Sequence, residues 1–348
     1  MSTEPGSPRI SLRDIAAKLG VSHSTVSLAL RDHPRISESV RARVKAAAEE
    51  FGYRPDPMLA ALANYRRGKV ATPISSSVAW INGWPKADQL RGYKEFDQYW
   101  NGAFKAAEKF GYRLEEFRIG RECTAKRLHQ ILSTRGIRGI LLPPHREAPA
   151  WGDFPWDQYS VVRFGRSVIK PEVHVVTADQ IANTMLAVQS MHALGYRRIG
   201  FTGIAGDFTR RGLLFQLGFA GGQRLIQDPQ PIPPLALSDD RPAERSRQLK
   251  SWLKEHQPDA ILTTDATLGE MLEKCGLHVP DDIGLAVTSI LDAKADAGID
   301  QHPEEIGRVG FLMLNSLMND RAKGIPPIFR QILVEGSWVN GQSLPHRT

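Results

Sequence analysis

Two short helical patterns separated by a glycine constrain the N-terminal part of the chain most strongly. The first pattern stops at Gly20 and repeats apolar residues at helical spacing: Leu12, Ile15, Ala16 and Leu19. Ser22 is a favourable N-cap for the second helix, because its hydroxyl can accept a hydrogen bond from a backbone N–H of the first turn. The second helix has a small outer face: His23, Ser24, Ser27 and Leu28. The spacing predicts a helix-turn-helix that reads a major groove, and it also suits an αα-hairpin within a helical core.

The positive charge of the chain is concentrated in the same region. Residues 1–70 carry twelve basic and seven acidic side chains, a balance of +5 out of +7 for all 348 residues. A basic N-terminal module on a nearly neutral body is typical of a protein that binds nucleic acid phosphates. The charge distribution therefore favours DNA binding over the helical-core alternative.

Several classes of protein are disfavoured by composition. No apolar run approaches the roughly 20 residues that span a bilayer, and the first residues lack the apolar core of a signal peptide. Cys123 and Cys275 are too few for a disulfide scaffold or a cysteine metal site. We therefore expect a cytoplasmic protein with no membrane segment, no metal site and no cofactor.

A third helix completes the head, with Ser37 as its predicted N-cap and Val40, Val44 and Phe51 on its apolar stripe. The segment Gly20-Val-Ser-His-Ser-Thr-Val-Ser, followed by the exit Gly52-Tyr-Arg-Pro, resembles the DNA-binding head of the lactose-repressor (LacI-type) family. The match runs without a gap from Ile10 to about Ala63. The resemblance implies sequence-specific binding to double-stranded DNA.

The resemblance also implies roles for individual head residues. Contacts to the DNA backbone, or support of the docked head, fall to Leu12, Arg13, Ser22, Thr25, Ser27, Arg31, Arg35 and Ser37. His23 and Ser24 would face base edges. Leu28 stands where the family usually has arginine, whose bidentate contact to guanine is worth about 1–3 kcal/mol of discrimination. Because leucine offers only apolar contact, we predict a half-site without that guanine.

Residues 56–70 are predicted to form a short helix, with Asp56 as N-cap and Pro57 in its first turn. Isolated helices below about 12–15 residues are marginal in water, so a frayed linker is one interpretation. The resemblance implies instead a hinge helix that orders on DNA and inserts a leucine wedge into the minor groove. The residues that would make this contact are Leu59, Leu62 and Ala63. Asp56 replaces the asparagine that is usual there.

From about residue 73 strands and helices alternate, which predicts parallel sheets with helices on both faces. The predicted fold is an all-α helix-turn-helix head joined by a hinge helix to a two-lobed α/β domain. This domain resembles a type I periplasmic-binding-protein fold, in motifs such as Leu194-Gly-Tyr-Arg-Arg-Ile-Gly-Phe and Val279-Pro-Asp-Asp-Ile-Gly. The predicted segments are a disordered tail at 1–9, the head at 10–55, the hinge at 56–70 and an effector-binding and dimerisation domain at 71–348.

The cleft of such a domain binds a ligand at the carboxyl ends of its strands. The family's polar anchors are only partly present, because Thr264-Asp265 keeps one acid and Thr288-Ser289-Ile290 lacks another. At the third anchor position the chain has Phe215, with Arg210 and Arg211 nearby. Trp84, Phe96 and Tyr99 could stack on a ligand, or they could belong to the core or to a subunit interface. We expect Trp80 and Trp100 to lie in the core or in a subunit interface.

These features predict a homodimeric transcriptional regulator, a repressor, that binds a palindromic operator under the control of a small molecule. The alternatives for the effector are a sugar or a sugar derivative, a larger or less polar compound, or no effector at all. The later motifs alone would also suit a periplasmic sugar-binding protein or a carbohydrate-acting enzyme. Since no phosphate-binding loop, nucleophile elbow or metalloprotease motif occurs, we predict no enzymatic activity.

Overall fold

The computed structural model describes residues 12–30, 35–51, 76–86, 88–145, 147–167, 170–204, 213–238 and 241–347. They belong to two compact units, the head and the part of the chain from residue 76 onward. The head consists of α1 (Leu12–Leu19), α2 (His23–Leu30) and α3 (Glu38–Glu50). The predicted tail and hinge helix, with Leu59, Leu62 and Ala63, lie outside the described residues.

The three helices of the head pack around a small apolar core. Ile15, Val26 and Val44, one from each helix, are fully buried. Gly20 adopts a φ of +63° in the turn between α1 and α2, a conformation that glycine reaches without steric cost. The Ser22 hydroxyl accepts from the Thr25 N–H at 3.0 Å, so the predicted N-cap of α2 is confirmed. Ser37 stands at the N-cap of α3, but its side chain makes no capping bond and instead lies 3.2 Å from the Ser39 hydroxyl.

The second unit contains two six-stranded sheets within the described residues, one in each lobe. The strands are β1 (Ser76–Asn82), β2 (Tyr112–Arg118), β3 (Gly139–Leu142), β4 (Ser160–Phe164), β5 (His174–Ala178), β6 (Ile199–Ile204), β7 (Leu235–Leu237), β8 (Ala260–Thr263), β9 (Gly284–Val287), β10 (Gly298–Asp300), β11 (Gln331–Val334) and β12 (Ser337–Val339). The first sheet has the order β11-β5-β4-β3-β1-β2 and the second β12-β10-β9-β8-β6-β7. The described pairs are parallel apart from β10 with β12.

Helices cover both sheets, as the alternating pattern predicts. They are α4 (Gln89–Gly92), α5 (Lys94–Lys109), α6 (Ala125–Thr134), α7 (Gln180–Ala193), α8 (Leu213–Leu225), α9 (Pro242–His256), α10 (Leu268–Lys274) and α11 (Pro303–Asn319). No helix in the described ranges is both long and apolar enough to cross a bilayer.

The chain passes between the lobes three times, after β5, after β10 and after β11. The crossovers after β5 and after β11 are joined, because the Asp179 N–H donates to the Val334 carbonyl at 2.9 Å. The Gly336 N–H likewise donates to Asn183 Oδ1 at 2.7 Å. The two-lobed α/β architecture predicted for this part of the chain is thus confirmed.

The sequence pattern missed three strands: β7, β10 and β12. Each has only three residues, too few for an alternating or apolar run to emerge from single-sequence periodicity. Strand β7 ends the second sheet on one side and β12 on the other. Their existence depends on the neighbouring strand that each one pairs with.

The first lobe depends on a close crossing of α5 and α11. Gly102 of α5 faces the backbone of Glu304, and Gly307 of α11 faces the backbone of Tyr99. A Cβ added at either glycine would come closer to a backbone carbonyl than real Cβ atoms do. Because α11 follows the crossover from the second lobe, this contact joins distant parts of the chain.

We predict that Gly307→Ala destabilises the protein by about 3 kcal/mol, because overpacking against backbone cannot be relieved by a rotamer change. Gly269→Ala in α10 is the matched control, since its Cβ would meet only Leu285 at an ordinary 3.5 Å. The control should be neutral or slightly stabilising, because alanine is the better helix former. Urea unfolding of both variants measures the difference, and equal stabilities would contradict the tight crossing.

Candidate DNA-reading face and effector cleft

The outer face of α2 is the candidate DNA-reading surface. His23 and Ser24 are exposed, while Thr25 and Leu28 are partly buried. The Ser22 and Thr25 hydroxyls lie 2.8 Å apart, so capping of α2 and orientation of Thr25 are coupled. This places His23 and Ser24 on the first turn of the helix, where a recognition helix contacts base edges.

The other predicted head residues are only partly described. Arg35 and Ser37 are exposed and precede α3, and Leu12 is partly buried. The side chains of Arg13 and Ser27, and the whole of Arg31, lie outside the described residues.

Sequence reasoning missed the role of Lys18. Its Nζ contacts Glu50 Oε1 at 2.6 Å and lies 4.2 Å from the centre of the Phe51 ring. The Lys18 side chain thus connects α1 to the end of α3, and its positive charge is neutralised by Glu50 within the head. Not every cation of the basic N-terminal region is therefore available to phosphates.

The carboxyl ends of β1 and β3 form the first wall of the cleft. His145 follows β3, is only 3% exposed, and accepts from the Gly83 N–H through Nε2 at 2.8 Å. Burial lowers the pKa of His145 to about 4, although hydrogen bonds with the backbone of Pro143 and Ile81 act in the opposite direction. The imidazole is therefore neutral at pH 7 and fixes the loop after β1.

The carboxyl end of β8 forms part of the opposite wall. Asp265 is 4% exposed and forms an ion pair with Arg245 of α9. Its Oδ1 also accepts from the Thr267 N–H at 2.9 Å and from the Thr267 hydroxyl at 2.7 Å. The carboxylate that the sequence suggested for an effector is thus already bonded within the lobe. Beside it, the buried hydroxyl of Thr264 has no hydrogen-bond partner among the described residues.

The aromatic residues near the first strand are mainly part of the core. Trp84 and Tyr99 are 6% and 3% exposed, and Phe96 is partly buried against them. The Trp84 indole N–H donates to the Pro144 carbonyl at 2.8 Å, which holds the ring in place. Trp80 is fully buried and meets Trp100 edge-on, with 5.5 Å between ring centres.

The two walls meet directly across the cleft. The Ser289 hydroxyl, after β9, donates to Glu95 Oε2 in the first turn of α5 at 2.9 Å. The Tyr99 hydroxyl donates to Glu95 Oε1 at 3.1 Å. Sequence reasoning found Tyr99 and Ser289 but missed Glu95, because nothing in the local pattern distinguishes it from a surface acid.

The remaining predicted effector residues are Phe215, Arg210 and Arg211. Phe215 of α8 is partly buried against the core of the second lobe. Arg210 and Arg211 lie outside the described residues. Within the described ranges, no three side chains of His, Cys, Asp or Glu are arranged to hold a metal ion.

Comparisons with known proteins fit both parts of the chain. Residues 11–56 match the model of the bacterial regulatory proteins of the lacI family, and residues 188–344 match a periplasmic binding protein-like domain. The transcriptional repressor CytR of Escherichia coli is 46% identical over 344 residues, covering 90% of this chain and 91% of the relative. The chain belongs to the LacI family.

Other relatives agree with this assignment. The transcriptional regulator MalR of Streptococcus pneumoniae is 23% identical over 339 residues, which cover 93% of this chain and 97% of MalR. The family and the architecture together make this protein a DNA-binding transcriptional regulator.

Solved structures share the two-part architecture. A complex of the regulator CelR with cellobiose has a TM-score of 0.59 at 20% identity and covers 96% of this chain and 100% of that chain. A lac repressor dimer bound to operator and the anti-inducer ONPF has a TM-score of 0.53 at 19% identity. The match covers 97% of this chain and 100% of the lac repressor chain. At these identities the likeness concerns the fold.

We predict that Asp265→Ala costs about 3–5 kcal/mol of stability, because it leaves the Arg245 guanidinium partly buried without its counter-ion. The double variant Arg245→Met, Asp265→Leu should recover most of this loss. Glu270→Ala, which breaks an exposed ion pair with Lys294 in the same lobe, is the control and should change little. Urea unfolding gives the three values, and a stable Asp265→Ala variant would refute the structural role.

A second prediction concerns acid stability. Because the pKa of His145 is about 4 in the native state and 6.5 without burial, the unfolded chain binds the extra proton between these values. The contribution of the neutral, buried His145 to the free energy of unfolding is therefore complete above about pH 6.5. Roughly 3 kcal/mol of this free energy is lost as the pH falls to about 4. His145→Gln should flatten the stability profile over this range, whereas His278→Gln, at an exposed position, should not. Identical slopes for all three proteins would count against the neutral buried histidine.

Proposed function

We propose that this protein is a homodimeric repressor that binds a palindromic operator and releases or strengthens that contact when a small molecule enters the cleft. The observation that carries the proposal is the exposure of His23 and Ser24 at the start of α2 on a helix-turn-helix head, in a chain whose second unit is two-lobed. Two heads related by a dimer axis would read two half-sites. This arrangement is supported by the structure of a lac repressor dimer bound to its operator, because that protein has the same fold as this chain.

In the proposed complex His23 and Ser24 contact base edges, and Leu28 makes apolar contact with a base such as thymine. Backbone contacts or support of the docked head come from Leu12, Arg13, Ser22, Thr25, Ser27, Arg31, Arg35 and Ser37. The hinge residues Leu59, Leu62 and Ala63 act in the minor groove. Exposure of His23, Ser24, Arg35 and Ser37 supports these roles.

The proposed effector is a sugar or a sugar derivative. The cellobiose complex of CelR supports this class, since the two proteins share a fold. In this chain the partly buried Ser289 and the Thr264 hydroxyl offer hydrogen bonds, and Phe96 offers an aromatic surface. Asp265 would orient the site through Arg245 and Thr267. Trp84, Tyr99, Phe215, Arg210 and Arg211 complete the proposed set.

We further propose that the protein acts in the cytoplasm, carries no cofactor and catalyses no reaction. Its relatives are transcriptional regulators, which supports this proposal. A thermal-shift screen of mono- and disaccharides, followed by operator binding with each hit, tests the effector. A stabilising sugar that leaves operator affinity unchanged would count against the regulatory role of the cleft.

The operator prediction depends on Leu28. Binding-site selection from random duplexes should yield a palindrome that lacks a strongly preferred guanine opposite this residue. Leu28→Arg should then acquire a guanine preference of about 1–3 kcal/mol at that one position in each half-site, because arginine can bond guanine O6 and N7.

Leu28→Met is the matched control, since it keeps an apolar side chain of similar size and should select the same sites as the wild type. Recovery of the guanine by the wild-type protein would show that Leu28 does not determine this position. Failure to select any palindrome would instead contradict the proposed dimeric repressor.

A further inference from the structure

We propose that Ser289 and Asp292 form a latch that holds the second lobe against the start of α5 and so closes the cleft without a ligand. The two residues lie in the loop after β9, in the second lobe, whereas α5 belongs to the first lobe. An effect of the latch on operator affinity rests on the function proposed above. The closure itself does not depend on that function.

Asp292 replaces a missing cap of α5. The residue at the N-cap position, Tyr93, makes no side-chain capping bond. Instead the Lys94 N–H donates to Asp292 Oδ1 at 2.9 Å, and the Glu95 N–H donates to Oδ2 at 3.1 Å. A carboxylate at this point satisfies two N–H groups that lack partners within the helix and faces the positive end of the helix dipole. The first lobe thus takes its helix cap from the second lobe.

Ser289 provides the second contact of the latch. Its hydroxyl donates to Glu95 Oε2 at 2.9 Å, while the Tyr99 hydroxyl, one turn further along α5, donates to Oε1 at 3.1 Å. Tyr99 is buried in the core of the first lobe, so it fixes the carboxyl group that Ser289 binds. Separation of the lobes would expose Glu95 and leave both residues of the latch without these partners.

The latch brings like charges together. The charged groups that act on Glu95 are the carboxylates of Asp292, in the same loop as Ser289, and of Asp300, at the end of β10. His302 lies beyond Asp300, with 3.5 Å between Nδ1 and Oδ2. Burial, and then Asp292 and Asp300, raise the pKa of Glu95, while the hydrogen bonds from Ser289 and Tyr99 lower it less.

Closure is therefore linked to a proton. The pKa of Glu95 is raised in the closed arrangement and approaches the ordinary 4.5 when the lobes part. The closed state thus binds more proton between these two values, and rising pH through this window weakens the latch. Glu95→Gln removes the charge but keeps an oxygen that can accept from Ser289, so this variant should stay closed across the range.

The chain supplies its own labels for measuring closure. Cys123 lies in the first lobe and Cys275 in the second, and both are partly exposed free thiols. Full-length protein labelled with nitroxides at these two positions gives the distance between lobes by pulsed electron resonance. Mixing with an excess of unlabelled Cys123→Ser, Cys275→Ser chain ensures that a dimer contains at most one labelled chain.

We expect the wild type to show mainly the short, closed distance in the absence of ligand. The double variant Ser289→Ala, Asp292→Ala should lower the ratio of closed to open molecules by about tenfold, because it loses hydrogen bonds that involve charged groups. Asp281→Ala is the control, because Asp281 is an exposed acid of the same lobe outside the latch. If the double variant keeps the distance distribution of the wild type and the control, the latch is wrong.

A separate measurement, the pH dependence of the closed fraction, tests the proton linkage. The closed fraction of the wild type should fall as the pH rises from the ordinary glutamate pKa of 4.5 through the raised pKa of Glu95, while that of Glu95→Gln stays constant. Equal pH responses of the two proteins would overturn the linkage. Operator affinity of the same variants separates the two proposals: altered distances with unchanged affinity would support the latch and contradict its coupling to DNA.

Discussion

The two-lobed unit depends on the close contact between α5 and α11. Gly102 and Gly307 let the two backbones approach until neither position has room for a Cβ. Helix α11 enters the first lobe only after the chain has built most of the second, so this contact joins segments about 200 residues apart. Protein interiors packed this tightly have low compressibility, so they transmit strain to neighbouring elements instead of absorbing it locally. Helix α5 is therefore rigidly joined to the rest of the first lobe. A contact at the start of α5 thus affects the position of the whole first lobe relative to the second.

Apart from the four-residue α4, the sequence predicted the described helices of both units and every strand longer than three residues, because those elements bury continuous or periodic apolar faces. It also placed Ser22 at the start of α2, since capping is a local property. It did not predict β7, β10, β12 or the pairing of Asp265 with Arg245. These features are determined by neighbours that only the folded chain supplies.

The candidate effector site was harder to predict than the fold for the same reason. Asp265 is suggested by the resemblance to the family's anchor after a late strand, yet its carboxylate is bonded to Arg245 and Thr267. Glu95 was overlooked, although it is the acid that meets the opposite lobe. A sequence identifies which residues can carry charge or donate a hydrogen bond. The fold decides whether those groups bind a ligand or one another.

The described polar groups of the cleft are largely bonded to the protein itself. Asp265 has its counter-ion, Asp292 faces a helix N-terminus, and His145 is neutral and accepts from Gly83. A ligand that enters between Glu95 and Ser289 must therefore replace hydrogen bonds that already exist. A buried polar group left unpaired costs more than a new hydrogen bond contributes. A ligand that bound between these groups would be selected by whether it satisfies every group that it separates, because a ligand that lacks a matching hydroxyl leaves a buried polar group unpaired.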